Sequence, residues 1–356
     1  VVSRKTGAVT IAGYLKARYK SDFLVILTTL IMLVFFVTQM IAQFMGGATL
    51  IESMTGLPYW LSLAIFASVV ILYTAFGGFS AVVITDTLQG IIMLVGTFLF
   101  LFFILRSVGD FDAMAVALDA NLPGWDRLTG TGYTPGGLLS FWVLVGVGVI
   151  GLPQTAVRGM GFKDTKSLHS AMLIGTIAAG VLMIGMHVGG AWAGALIGGQ
   201  EFTSSDYVIP AVIQQIMPAS VAGIFLAAPM AAVMSTVSSL LILASASIVK
   251  DLWGNYIVKD NPEKKAKFQK HISTYSFLVT LLIGVLVFIL TLTPPDIIFW
   301  VNLFAMGGLE CCFFWPIVGG VFYKKGNKQA AIASSLLGVM VYVISYQFKL
   351  TVWGVN

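Results

Sequence analysis

Charged residues are scarce in this chain of 356 residues. Asp, Glu, Lys and Arg together make up 10%, where a water-soluble domain carries about 25%. That scarcity excludes an ordinary soluble globular protein, and an apolar content of 58% excludes a disordered one. Cysteine is nearly missing. The two present, Cys311 and Cys312, are neighbours inside one apolar run and cannot ordinarily bridge each other, so no disulfide framework is implied. The three histidines are scattered and supply no metal-ligand cluster. No Gly-x4-Gly-Lys-Ser/Thr motif precedes a helix, so the chain is not itself an ATPase, and no catalytic constellation is present. The opening Val1-Val-Ser-Arg-Lys5 is neither an initiator sequence nor a signal peptide. The chain is therefore expected to be a fragment or to have a trimmed start.

What the chain does have is long apolar runs. They fall at about 22–47, 59–76, 80–105, 138–158, 168–197, 219–249, 272–293, 296–323 and 329–348. Each can cross a hydrocarbon layer of about 30 Å, the second being the shortest. Unsatisfied backbone groups are so costly in lipid that only helices or closed barrels span it. Runs this long and this uniformly apolar predict helices, since barrel strands alternate and are about ten residues long.

Charge sets the orientation. With nine spans, all but three of the 20 basic residues fall on one side, beginning with Arg4, Lys5, Lys16, Arg18 and Lys20 and including Lys250, Lys259, Lys264 and Lys265. The exceptions, Arg106, Arg127 and Lys349, share the other side with acids such as Glu52, Asp110, Asp206 and Asp296. The basic side is cytoplasmic by the positive-inside rule. This distribution fits membrane topology better than a nucleic-acid surface. Residues 106–137 are expected as an external connection rich in Gly, Asp and Pro, and 207–218 as a short amphipathic stretch along the outer surface.

Several polar features interrupt the apolar pattern. Gly146, Gly148, Gly151 and Pro153 lie within eight residues, followed by Gln154, Thr155 and Arg158. Proline removes a backbone bond and glycine weakens a helix, so a break is expected near mid-membrane. Transporters use such breaks to bind solutes and ions, while the plainer alternative is a kinked packing helix. In Ala232-Val-Met-Ser235-Thr236, two hydroxyls lie over one carbonyl on a single helical face that continues to Ser239. Such oxygens can replace part of a sodium ion's hydration shell, or the hydroxyls can simply back-bond. Asp86 opens an apolar run, where it either caps a helix dipole or lines a cytoplasmic ion exit. Glu310 is an intramembrane acid, and Asn302 is a candidate lining residue on the same run. His187, among Gly185, Gly189, Gly190 and Gly194, reads as a hydrogen-bonding residue at a close helix contact.

Tyr73-Thr-Ala-Phe-Gly77-Gly78-Phe-Ser-Ala81-Val-Val-Ile-Thr85-Asp86-Thr-Leu-Gln89 and Ala227-Ala-Pro-Met-Ala-Ala232-Val-Met-Ser235-Thr236 resemble hallmarks of the sodium/solute symporter family. The likeness covers nearly the whole chain. Gly151-Leu-Pro-Gln-Thr-Ala-Val-Arg158, Ala222 to Ala232 and Ala305-Met-Gly-Gly-Leu-Glu310 are most similar to members that carry pantothenate. The resemblance implies an all-α integral membrane protein with a leucine-transporter-like fold of inverted repeats, incomplete at the N-terminus. Residues 22–105 would be the last three helices of the first repeat, 138–323 the second repeat and 329–348 an accessory helix. The first core helix and most of the second would be absent, so this chain alone is not expected to transport. The resemblance also implies a sodium site from the Ala232 carbonyl and the Ser235 and Thr236 hydroxyls, with Asp86 on the sodium pathway. It places Gly151, Gln154, Thr155, Arg158, Asn302 and Glu310 as candidate substrate-lining residues. The implied activity is import of pantothenate or a similar small carboxylate across the plasma (inner) membrane, coupled to Na+, by alternating access. A symporter for another small carboxylate or amino acid, and a transporter-like ligand sensor, are the alternatives.

Overall fold

A computed structural model describes residues 6–350 apart from 9, 131, 259–260 and 295–296. Arg4, Lys5, Lys259 and Asp296 of the charge argument lie outside the described residues, as does the first residue of the 296–323 run. The helices in chain order are α1 (Ile11–Tyr19), α2 (Asp22–Thr55), α3 (Tyr59–Val108), α4 (Phe111–Asn121), α5 (Pro135–Gly146) and α6 (Pro153–Met160). They continue as α7 (Thr165–Ile197), α8 (Val208–Ile216), α9 (Ala219–Ala246), α10 (Pro262–Thr291), α11 (Ile298–Phe322) and α12 (Lys328–Gln347). Among the described residues no strand occurs.

Local chemistry explains most of the ends. Ser21 caps α2 by accepting from the Leu24 amide, and Gly56 closes that helix in the left-handed conformation. Pro135, Pro153 and Pro262 begin helices, where a missing amide hydrogen costs nothing. The runs 59–76 and 80–105 are joined in α3, whose 50 residues would extend about 75 Å, more than twice the hydrocarbon thickness. Gly78 divides it, with φ 62° and ψ −168°, a conformation that residues with a Cβ rarely adopt. Among the described residues seven helices are each long and apolar enough to cross a membrane, and α5 with α6, bent by 43°, make an eighth when the pair is counted as one span. Counting the halves of α3 separately gives the nine expected spans.

Two segments differ from the sequence expectation. The connection 106–137 contains a helix, α4, which Asp110 caps through the Ala113 amide and which buries Met114 and Leu118 toward α7. The stretch before residue 22 contains α1, begun by Thr10. Helix α1 braces the end of α11. Arg18 donates to the carbonyls of Gly320 and Tyr323, at 2.8 and 2.9 Å. Tyr14 and Tyr19 donate to Ile317 and Pro316. Burial pushes the Tyr14 phenol up to about 12, so it remains a donor in the physiological range.

The core sits among α2, the first half of α3, α9, α10 and α11, around Phe36, Phe44, Phe66, Leu240 and Phe313. Half of the most apolar stretch of α2 and of α11 is buried, against 6% in α7. Helices α2 and α11 therefore lie at the interior, and α7 is mostly exposed. The glycine face of α7 meets α3 as expected, with Gly185 on Thr97 and Gly189 on Phe100. His187 is exposed, and its ring nitrogen lies 2.6 Å from the Met183 carbonyl. The 207–218 stretch forms α8, which buries Pro210, Val212 and Ile213 and holds the end of α2 through Gln214 and the Ser53 carbonyl.

Candidate functional site: a broken helix beside a hydroxyl-bearing helix

The break expected from the glycines and Pro153 is present. Helix α5 ends at Gly146, residues Gly148–Gly151 form a 3-10 turn, and α6 starts at Pro153. Gly151 is required by close approach to the backbone of α11, and Gly148 leaves room for one of its side chains. A Cβ on Gly151 would stand 2.7 Å from the Phe314 Cα, and one on Gly148 would collide with the Glu310 carboxyl.

Helix α9 runs unbroken past Pro229 and continues as a π-helical stretch, Ser247–Ile257. On it Ser235 and Thr236 both point back to one carbonyl. Their hydroxyls donate to Ala232 O at 2.9 and 3.1 Å. Three oxygens are thus gathered on a single turn, all of them neutral and half-buried. Such a set suits a monovalent hard cation once the hydroxyl hydrogens rotate away. Tyr73 of α3 donates to Met234 O in the next position, at 3.1 Å, and ties α3 to this turn.

One turn further along α9, about 6 Å by helical rise, lies a charged cluster. Ser239 donates to Asp86 Oδ2 at 3.1 Å. Arg158 of α6 donates to Ser239 Oγ at 2.8 Å and to Asp86 Oδ2 at 3.2 Å. Asp86 is eight residues beyond Gly78, inside the second half of α3, so it does not cap a helix start. Arg158 likewise turns inward to a carboxylate. Its side chain is 64% exposed, which keeps the ion pair weak and easily opened. Asp86 Oδ1 and Gln89 Oε1 are buried beside this cluster without a hydrogen-bond partner among the described residues.

A second polar group crosses the interior. Gln39 of α2 accepts from Gln154 of α6 at 3.4 Å, and Gln43, one turn on, donates to Asn302 of α11 at 3.2 Å. Gln39 is 5% exposed, and Gln154 Oε1 is buried without a partner among the described residues. Gln154 and Asn302 are thereby brought to one wall. Thr155 is exposed and stands outside it, Gly151 is buried against α11, and Glu310 faces Gly148. Sequence reasoning missed Gln39, Gln43 and Gln89. The readable signal was two amides at i, i+4 within an otherwise apolar run.

Comparison with known proteins places this geometry. The sodium:solute symporter family matches residues 2–338. The chain is 43% identical to a sodium/pantothenate symporter of Haemophilus influenzae, over 99% of this chain and 72% of that protein. It is 41% identical to one of Escherichia coli, over 97% and 70%. It is 28% identical to a sodium/proline symporter of Staphylococcus saprophyticus, over 95% and 66%. Its fold is similar to the substrate-bound, outward-open structure of a Na+-coupled sialic acid symporter. The TM-score is 0.74 at 18% identity, covering 97% of this chain and 78% of that one.

Proposed function

From the premise that the chain belongs to the sodium:solute symporter family, we propose that it imports pantothenate with sodium across the plasma (inner) membrane, as a multi-pass protein working by alternating access. Residues 22–105 act as the end of a first repeat, 138–323 as a second repeat and 329–348 as an accessory helix. Sodium takes the Ala232 carbonyl and the Ser235 and Thr236 hydroxyls as ligands. Asp86 receives it on the way to the cytoplasm.

The observation that carries this reading is the meeting of α3, α6 and α9 at Asp86, Arg158 and Ser239, one helical turn beyond Ser235 and two beyond Ala232. A sodium ion leaving the hydroxyl turn toward this cluster meets a carboxylate already held by Arg158. The arriving charge weakens that ion pair, which frees α6 to move relative to α3 and α9. Ion release and opening of the broken helix are thereby coupled through one carboxylate. On the other side, the neutral amides of Gln39, Gln43, Gln154 and Asn302 offer donors and acceptors to a solute that carries hydroxyl, amide and carboxylate groups. Gln154 connects that wall to the same moving segment.

Labelled pantothenate uptake into cells or proteoliposomes holding the protein, with any helices that precede residue 1 included, tests the proposal. Uptake is expected to require a sodium gradient and to fall to background in potassium. Equal uptake in the two salts refutes the coupling. Competition by excess proline but not by excess unlabelled pantothenate refutes the solute assignment.

A further inference from the structure

Glu310 is the one acid of α11, and the scheme above gives it no task. It is 5% exposed. Its Oε1 has no hydrogen-bond partner among the described residues, and its Oε2 occupies the space that a side chain at position 148 would take. The groups facing it from the packed elements are committed elsewhere or carry no charge. Tyr342 of α12 donates to the carbonyl of Phe304 at 3.2 Å, and Ser335 donates to that of Cys312 at 2.8 Å. Cys311 is a free thiol on the same helix. Helix α2 contributes the Phe35 ring over Gly308, and the break contributes only Gly148 to Gly151. The ion pairs among the described residues are Lys16–Asp22 and Arg158–Asp86, and neither involves this carboxyl.

A bare carboxylate in such a place is several kcal/mol too costly to persist. It needs a positive partner that the described residues do not supply. Sodium calls for several oxygens around it, and here one carboxyl stands among rings, glycines and carbonyls already in use. A proton needs a single oxygen.

We propose that Glu310 is a proton-binding site in the membrane interior, sealed by the 3-10 turn of the broken helix and loaded or emptied as that turn moves. Binding adds a proton from water to one carboxylate oxygen, and release returns it. The charge of α11 therefore changes when the turn lifts away and water reaches the carboxyl. Because the turn is part of the segment assigned to gating, the link to transport rests on the function proposed above, while the proton site itself does not.

Infrared difference spectroscopy of the purified protein in lipid nanodiscs, titrated with acid and base, reads the site directly. A protonated-carboxyl stretching band is expected in the native protein, lost in Glu310→Gln and retained in the exposed control Glu263→Gln. Glu310→Asp, which keeps the acid, is expected to shift the band rather than remove it, and Gly148→Ala, which crowds it, to shift it too. Absence of any such band assignable to Glu310 while the protein stays folded overturns the proposal. A carboxylate signal that answers to sodium and not to acid overturns it as well, in favour of a metal site. In the uptake assay, Glu310→Gln is expected to flatten the pH profile of sodium-driven transport. A band that is present but a pH profile identical to the native one overturns the link to movement and leaves the sodium coupling intact.

Discussion

The α5–α6 region and helix α9 both carry proline and small residues in mid-run, yet one is broken and the other continuous. Pro153 stands at the first position of α6, and the chain before it winds into a 3-10 turn. Pro229 lies inside α9 and does not interrupt it. Proline alone therefore does not decide the outcome. The difference lies in what packs against each segment. The turn before Pro153 is pressed onto Phe314 and Glu310 of α11, where only glycine fits at 151 and a Cβ at 148 would displace the Glu310 carboxyl. Helix α9 is held on two sides by α3 and α10 around Val237, Leu240 and Leu241, contacts that favour a straight helix. A third case fits the same rule. Pro316 of α11 leaves the Cys312 carbonyl without its helical donor, and Ser335 of α12 supplies one at 2.8 Å. In a membrane protein the neighbour that completes the backbone bonds chooses between kink and break.

Three variants would sharpen or break that contrast. The largest effect is expected from Gly151→Val. Its side chain would meet the Phe314 backbone, which has no rotamer to yield, and overpacking of this kind costs about 1–3 kcal/mol. Thermal unfolding should shift downward and uptake should be lost. Native stability and native uptake together would mean that α11 does not hold the break. An intermediate effect is expected from Ser235→Ala combined with Thr236→Ala. The sodium concentration for half-maximal uptake should rise roughly tenfold, equivalent to about 1.4 kcal/mol, with stability nearly unchanged. An unaltered sodium dependence would leave those hydroxyls as back-bonding groups of a plain helix. The smallest effect is expected from Pro229→Ala, which restores one backbone bond inside an already continuous helix, worth about 1 kcal/mol or less. A large loss of uptake in that variant would show that α9 also needs its proline to move.

Much of this was legible before any coordinates. The apolar runs gave the spans, because lipid forces each long run to satisfy its own backbone. The gap between the runs 59–76 and 80–105 marked the join of two spans, and the glycines with Pro153 marked the break. Helix α4 was hidden by its polar flanks, although Asp110 as a cap and the pair Met114 and Leu118 at i, i+4 are a local helix signal. Asp86 was harder. Its place at the start of an apolar run suggested a cap, and only the position of Gly78 shows that the helix begins eight residues earlier.

The sequence by itself determined the class of molecule, the spans, the family and the candidate residues on α6 and α9. These follow from composition, from 3.6-residue periodicity and from motifs contained in one segment. The tertiary structure decided which of those residues meet. Arg158 reaches Asp86 across 72 positions, Ser239 reaches it across 153, and Gln39 reaches Gln154 across 115. No local pattern encodes a partner that distant, since it depends on how the helices pack and on which glycines let them approach.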